Sequence, residues 1–217
     1  MTDCIKMLSG CLLAVWIKIM TNTAELEYEA LAMFQNWLDA ACKSDLHEPT
    51  AMALATVNAQ GRPSVRTMLL KSFDERGFVF FTDSQSCKGE ELRQNNFAAL
   101  CFFWQPLMRQ VRIEGNTVTI SAEESDAYWE SRPRDSQLCA WASQQSRSLD
   151  SRETLERRMA EAHARYIDDT IPRPPHWIGY RVVPQRIEFW KSGWRRLHER
   201  VLYEKQADGW CKSLLYP

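Results

Sequence analysis

The chain reads as a mainly β protein with flanking helices. Five short runs rich in β-branched and aromatic residues carry that reading: AMALATV (51–57), SVRTMLLK (64–71), GFVFFTD (77–83), FAALCFFW (97–104) and RQVRIEGNTVTI (109–120). Turn signals such as NAQGRP and DERG separate them, and strands at this spacing predict an antiparallel meander that curls into a barrel. The 217 residues contain no repeat, low-complexity tract or long linker, which favours one large domain over 25–217.

The elements follow in order. Residues 25–43 place Leu31, Phe34, Leu38 and Ala41 at helical spacing, an amphipathic helix. SQSCKGEELRQNN, between the third and fourth strands, fits one short helix starting near Ser86. Ser121 followed by Glu124 forms a capping box for a helix to about Ser131. SRPRDSQLCAW then reads as a loop. Asp150 with Glu153 predicts the cap of a helix whose stripe is Leu155, Met159, Ala162 and Tyr166, ended by IPRPPHW. The remaining strands are IGYRVVP, RIEFWKS and a segment running from GWRRLHER into VLYEK.

Residues 1–24 read as an atypical N-terminal segment. Their apolar stretch is too short to span a bilayer, is interrupted by Lys18 and precedes no small-residue cleavage site. A net charge of −1 argues against binding nucleic acid by bulk charge. Seven cysteines, an odd number without a C-x-x-C pair, suggest neither a disulfide framework nor a zinc site. A reducing cytoplasm is the expected setting, no metal is expected, and most of the cysteines read as small buried hydrophobes.

Three clusters could carry chemistry. The first is Arg66 to Lys71 with Ser86 and Lys88, where a helix start would aim free N–H groups at an anion. Arg66 and Lys71 are five apart, so an undistorted strand puts them on opposite faces; they serve different groups, or a bulge intervenes. The second is Tyr128, Arg132, Arg134 and Ser136, able to wrap a phosphate. The third is GWRRLHER: if extended, it lines up Arg196, His198 and Arg200 opposite Leu197 and Val201, with Trp190 upstream as a stacking surface. Each cluster has an ordinary alternative as a solvated, locally paired face. A phosphorylated or flavin-like small molecule is compatible with all three and compelled by none.

RTMLLK, FFTDSQSCKGEEL, RQVRIEG, SRPRDSQ, QQS (144–146), IEFW and RLHER, taken in number, order and spacing, resemble the pyridoxine (pyridoxamine) 5′-phosphate oxidase family from about residue 31 onward. The resemblance implies an FMN-binding split β-barrel that dimerises, with FMN where the subunits meet. It implies FMN-dependent oxidation of pyridoxine or pyridoxamine 5′-phosphate by O2 to pyridoxal 5′-phosphate and H2O2, with ammonia from the amine, in vitamin B6 biosynthesis and salvage. Arg66, Thr67, Met68, Leu69, Leu70 and Lys71 are then expected along FMN, continued by Phe81, Thr82 and Lys88. Gln110, Gln145 and Ser146 add flavin contacts, partly across the interface, and Trp190 and Arg200 complete them. Lys71, Tyr128, Arg132 and Ser136 are expected on the substrate phosphate. Arg196 and His198, the catalytic candidates, are expected over the pyridine ring, orienting it. The expected assembly is a cytoplasmic homodimer that binds neither nucleic acid nor membrane. The alternative is a non-catalytic split-barrel protein that holds flavin or pyridoxal 5′-phosphate.

The chain departs from the family pattern at four places. Ser86-Cys87-Lys88 stands where Ser-Arg-Lys is usual, which predicts weaker FMN retention. Cys139 replaces a glycine. The C-terminus reads Leu214-Leu215-Tyr216-Pro217 in place of Arg-Leu-Xaa-Pro. The N-terminal Arg-x-x-Tyr element has no match in residues 1–24.

Overall fold

The computed structural model describes residues 24–167 and 170–217, so the reading of residues 1–24 falls outside it except at Ala24. Helix α1 covers 24–42. It is followed by β1 (Ala51–Val57), β2 (Pro63–Leu69), β3 (Ser72–Asp74), β4 (Gly77–Asp83), α2 (Cys87–Gln94), β5 (Phe97–Trp104) and β6 (Arg109–Thr119). Then come α3 (Ala122–Glu130), α4 (Arg134–Ala142), α5 (Arg152–Arg165), β7 (Trp177–Lys191), β8 (Glu199–Gln206) and β9 (Gly209–Leu214). No helix among the described residues is long and apolar enough to cross a membrane.

The sheet runs β2–β1–β5–β6–β7–β4–β3, with β8 on β7 and β9 on β8. This corrects the expected meander: β4 sits between β7 and β3, not beside β2. Burial explains the difference. Every residue of β4 but one is buried, the pattern of a strand covered on both faces, whereas β2 alternates between exposed and half-buried positions. Gly77 enters β4 at φ +131°, and a Cβ there would lie 2.2 Å from the Val182 carbonyl oxygen. The DERG turn therefore needs its glycine.

IGYRVVP and RIEFWKS form one strand, β7, not two. β4 pairs with β7 from Trp177 to Val182, and β8 pairs with it from Arg186 to Lys191, both antiparallel. Pro184 falls between the two registers, where its missing N–H costs no ladder bond to either partner.

The chain divides into two compact units, whose boundaries fall inside β1, β5, β6 and β7. One comprises residues up to Ala53, Ala99–Gly115 and Pro184–Pro217. Its core packs Phe34 of α1 on Phe102 (ring centroids 5.2 Å apart) and Trp37 edge-on to Phe189 (5.3 Å). The Trp104 indole N–H donates to the Pro49 carbonyl at 2.8 Å.

The other unit comprises Leu54–Ala98 and Asn116–Val183. Trp129, Leu138, Ala162, Tyr166, Ile171 and Trp177 form a core cluster there, drawn largely from α3, α4 and α5. As expected, Ser121 caps α3 by accepting from the Glu124 N–H. The cap of α5 is Ser151, accepting from the Thr154 N–H, one residue beyond the expected Asp150.

SRPRDSQLCAW is not a loop. Pro133 sets the entry, Asp135 lies in the first turn, and Leu138 and Ala142, four apart, bury one face of α4. The five described cysteines are free, and none is buried: Cys42, Cys87, Cys139 and Cys211 are exposed and Cys101 is half-buried. Their neighbours take the inward positions, Leu138 beside Cys139 and Lys88 beside Cys87.

Candidate active site

The unit containing Leu54–Ala98 and Asn116–Val183 holds a cavity of about 580 Å3. Thr67, Met68 and Leu69 from β2 line it with Lys71 just beyond that strand, Phe81 and Thr82 from β4, Tyr128 from α3, Arg132 just past the end of α3, Ser136 from α4, and Gln145. All four residues expected on the substrate phosphate, Lys71, Tyr128, Arg132 and Ser136, therefore meet in one cavity. Trp177, Ser131, Ser143 and Cys139 line it too. Trp177 was missed at sequence level because it reads as the tail of the helix-ending IPRPPHW.

An aromatic stack forms one wall. Phe81 lies 4.2 Å from Tyr128 at 18° and 4.9 Å from Trp177 at 9°. The Arg132 guanidinium sits 4.6 Å from the Trp177 ring centre, and its Nη1 is buried with no hydrogen-bond partner. Burial pushes its pKa below the usual arginine range, and the groups that work against this, Tyr128 and Cys139, are not carboxylates. Arg134, the other arginine of this cluster, points elsewhere: its Nη2 donates to the carbonyls of Tyr166 and Ile167.

Lys88 does not line the cavity but is buried behind it. Its Nζ donates to Gln145 Oε1 at 2.6 Å and to Thr82 Oγ1 at 3.2 Å, both from lining residues. Burial, and then the charge of Arg66, lowers its pKa; Asp83, Cys87 and Glu91 work the other way. This ammonium is met by neutral oxygens.

The question of Arg66 and Lys71 resolves as two different jobs. β2 ends at Leu69, and Lys71 lies beyond it, its N–H bonded to the Val79 carbonyl at 2.9 Å. Arg66 turns away from the cavity to Glu91 Oε2 at 3.0 Å and to Thr56 Oγ1. Leu70 is a core residue, 4% exposed, and Ser146 sits in a turn at φ +69°. Neither lines the cavity.

Gln110, Trp190, Arg196, His198 and Arg200 belong to the other unit. Trp190 and Arg200 oppose each other in the β7–β8 register. Arg200 donates to Glu188 Oε1 at 2.8 Å and to the Tyr216 carbonyl at 2.9 Å. The expected row of Arg196, His198 and Arg200 on one strand face is not formed. Arg195 (φ 53°) and Arg196 (φ 67°) are left-handed, and β8 begins only at Glu199. Alternation along an extended strand does not apply there. Among the described residues, no group of three or more His, Cys, Asp or Glu side chains is placed to hold a metal.

Residues 38–166 match the family model described as pyridoxamine 5′-phosphate oxidase. The chain belongs to the pyridoxamine 5′-phosphate oxidase family. It is an oxidoreductase by that membership. Residues 177–217 match the C-terminal dimerisation region of pyridoxine 5′-phosphate oxidase. A pyridoxine/pyridoxamine 5′-phosphate oxidase of Alkalilimnicola ehrlichii is 52% identical over 195 residues, covering 89% of this chain and 100% of the relative. One from Rubrobacter xylanophilus is 51% identical over 189 residues, 87% of each chain.

Among solved structures, PhzG from Burkholderia lata, in complex with tetrahydrophenazine-1-carboxylic acid, matches with a TM-score of 0.82 at 36% identity, over 86% of this chain and 92% of that one. A pyridoxamine 5′-phosphate oxidase-related, FMN binding protein from Nostoc punctiforme matches with a TM-score of 0.63 at 21% identity, over 77% and 88%. The fold class read from the sequence, mainly β with flanking helices and of the family's split-barrel type, holds.

Proposed function

We propose that this chain oxidises pyridoxine 5′-phosphate or pyridoxamine 5′-phosphate to pyridoxal 5′-phosphate with FMN as cofactor and O2 as final acceptor. One observation carries the reading. A cavity with an aromatic wall gathers Lys71, Tyr128, Arg132 and Ser136, and leaves a buried arginine donor without an acceptor. An anionic, ring-bearing ligand supplies what this arrangement lacks.

The residues present fit FMN as well. Thr67, Met68, Leu69, Lys71, Phe81, Thr82 and Gln145 line the cavity, Lys88 stands buried behind two of them, and Arg66 lies close enough to Lys88 to lower its pKa. When bound, FMN supplies a two-electron acceptor that O2 restores, with release of H2O2. The alcohol needs no other reactant, whereas the amine consumes one water and releases ammonia. The chain's own contribution is positioning. Arg132 and Lys71 neutralise the substrate phosphate while Ser136 and Tyr128 donate to it, which fixes the reacting carbon by its distant anchor.

Support for a homodimer comes from the dimerisation-region match over 177–217, which contains Trp190, Arg196, His198 and Arg200. In this reading those residues and Gln110 complete the site in the dimer. The protein works in the cytoplasm, where its free cysteines stay reduced.

The test is to load purified protein with FMN and follow aldehyde formation and oxygen uptake with each B6 phosphate. Bound flavin without aldehyde would leave a binding protein and overturn the enzyme reading. Turnover of tetrahydrophenazine-1-carboxylic acid instead would move the chain to the branch of PhzG. Cys87 opens α2 with its side chain exposed. Cys87→Arg is expected to lower the FMN dissociation constant about tenfold by adding a charge-assisted hydrogen bond. An unchanged constant in a flavin-fluorescence titration refutes that account of position 87.

A further inference from the structure

We propose that the turn 193–198 holds His198 as a hydrogen-bond donor through Nε2, with Gly193 as its positioning residue. A neutral imidazole has one nitrogen that donates and one that accepts. The Gly193 N–H donates to His198 Nδ1 at 3.2 Å. Nδ1 is therefore the acceptor, and the ring proton sits on Nε2. Trp190 limits the ring from the side, with ring centroids 4.7 Å apart at 43°.

The backbone around this bond is tight. The Leu197 N–H donates to the Trp194 carbonyl at 3.1 Å, and the His198 N–H to the Arg196 carbonyl at 2.9 Å. Arg195 and Arg196, consecutive and neither of them glycine, are both left-handed, at φ 53° and 67°. L-residues avoid that region; within the turn the Arg195 guanidinium lies 4.0 Å from the Trp194 ring centre, while Trp194 is 75% and Leu197 69% exposed in the single chain. Strain of this kind points to a role for the side chain it places.

Gly193 is required for space, not for its dihedral angles, since its backbone is extended. A Cβ there would lie 1.7 Å from the Leu197 carbonyl oxygen and 3.2 Å from the His198 nitrogen. Any side chain must push the turn open and break the bond to Nδ1.

The chemical consequence rests on the proposed function, in which His198 meets the substrate. In this tautomer His198 offers a donor, so the group it holds is an acceptor such as a substrate oxygen. It does not take a proton at Nε2. Its contribution is orientation of the substrate rather than general-base catalysis.

Two-bond 1H–15N correlations on FMN-loaded, 15N-histidine protein show which ring nitrogen carries the proton, and loss of a resonance in His198→Gln assigns it. We expect the Nε2–H tautomer in the unsubstituted protein. Gly193→Ala is expected to lose that fixed tautomer and about 100-fold in kcat/KM, while the FMN dissociation constant moves by less than about threefold. An Nδ1–H tautomer in the unsubstituted protein, or undiminished turnover in Gly193→Ala, overturns the proposal. If Gly193→Ala does not fold, the unsubstituted spectrum alone decides. The spectrum does not depend on turnover, so an Nε2–H histidine in a protein that makes no aldehyde would refute the function and not the turn.

Discussion

Replacing Arg132 with methionine is expected to raise the KM for the phosphorylated substrate about 100-fold while leaving the thermal midpoint unchanged or slightly higher. Binding and stability separate here for one reason. In the protein alone, Arg132 is a cation pressed into a low-polarity wall with Nη1 buried and unpartnered. Leaving a buried donor unsatisfied costs roughly 1–3 kcal/mol, which offsets the roughly 0.5–2 kcal/mol its charge gains over the Trp177 and Trp129 rings. Methionine keeps the apolar stem against those rings and removes the orphan donor. The phosphate then loses its forked partner, and Arg132→Lys restores the charge but not the fork. Pyridoxal 5′-phosphate should raise the midpoint of the unsubstituted protein by mass action and have little effect on Arg132→Met. A clear fall in midpoint with an unchanged KM would make Arg132 a packing residue and remove the main support for a phosphate subsite.

Legibility in the sequence followed burial. β1, β4 and β5 begin and end where AMALATV, GFVFFTD and FAALCFFW do, because each is an apolar run bounded by turn residues. The cavity cluster was legible because Tyr128 and Arg132 stand four apart, Tyr128 in the last turn of α3 and Arg132 just past its end, and both line the cavity. What failed had no local signal. Pro133 and its polar neighbours look like a loop until Leu138 and Ala142 find a core to bury against. The left-handed Arg195 and Arg196 could not be read from residue type, since arginine has no preference for that region. The order of strands in the sheet likewise depends on which run is covered on both faces, and hydrophobicity alone distinguishes this poorly. The resemblance to the oxidase family named Arg66, but not the carboxylate on α2 that holds it.

That carboxylate is Glu91, and Glu91→Ala is expected to cost about 2–3 kcal/mol of stability. Its two oxygens serve three donors: Ser64 Oγ at 2.9 Å on Oε1, and Arg66 Nη2 at 3.0 Å with the Thr56 hydroxyl on Oε2. Thr56 is fully buried, and the side chains of Arg66 and Glu91 are only 22% and 12% exposed, so solvent does not replace what the carboxylate supplies. Removing it leaves a half-buried guanidinium facing Lys88, whose pKa Arg66 already lowers after burial. Glu91→Gln keeps an acceptor and is expected to cost about half as much. The pH dependence separates charge from packing. Burial acts to raise the Glu91 pKa, but hydrogen bonds from Thr56, Ser64 and Arg66 outweigh it, and the net shift is downward from 4.5. A carboxylate depressed in the folded state contributes stability above its unfolded pKa, and that contribution is lost as pH falls through the folded one. Denaturant midpoints measured between about pH 7 and pH 3 should therefore differ most between the unsubstituted protein and Glu91→Gln near neutrality and converge in acid. A gap that stays constant across that range would mean that the carboxylate's charge contributes nothing and that Arg66 is held by shape alone.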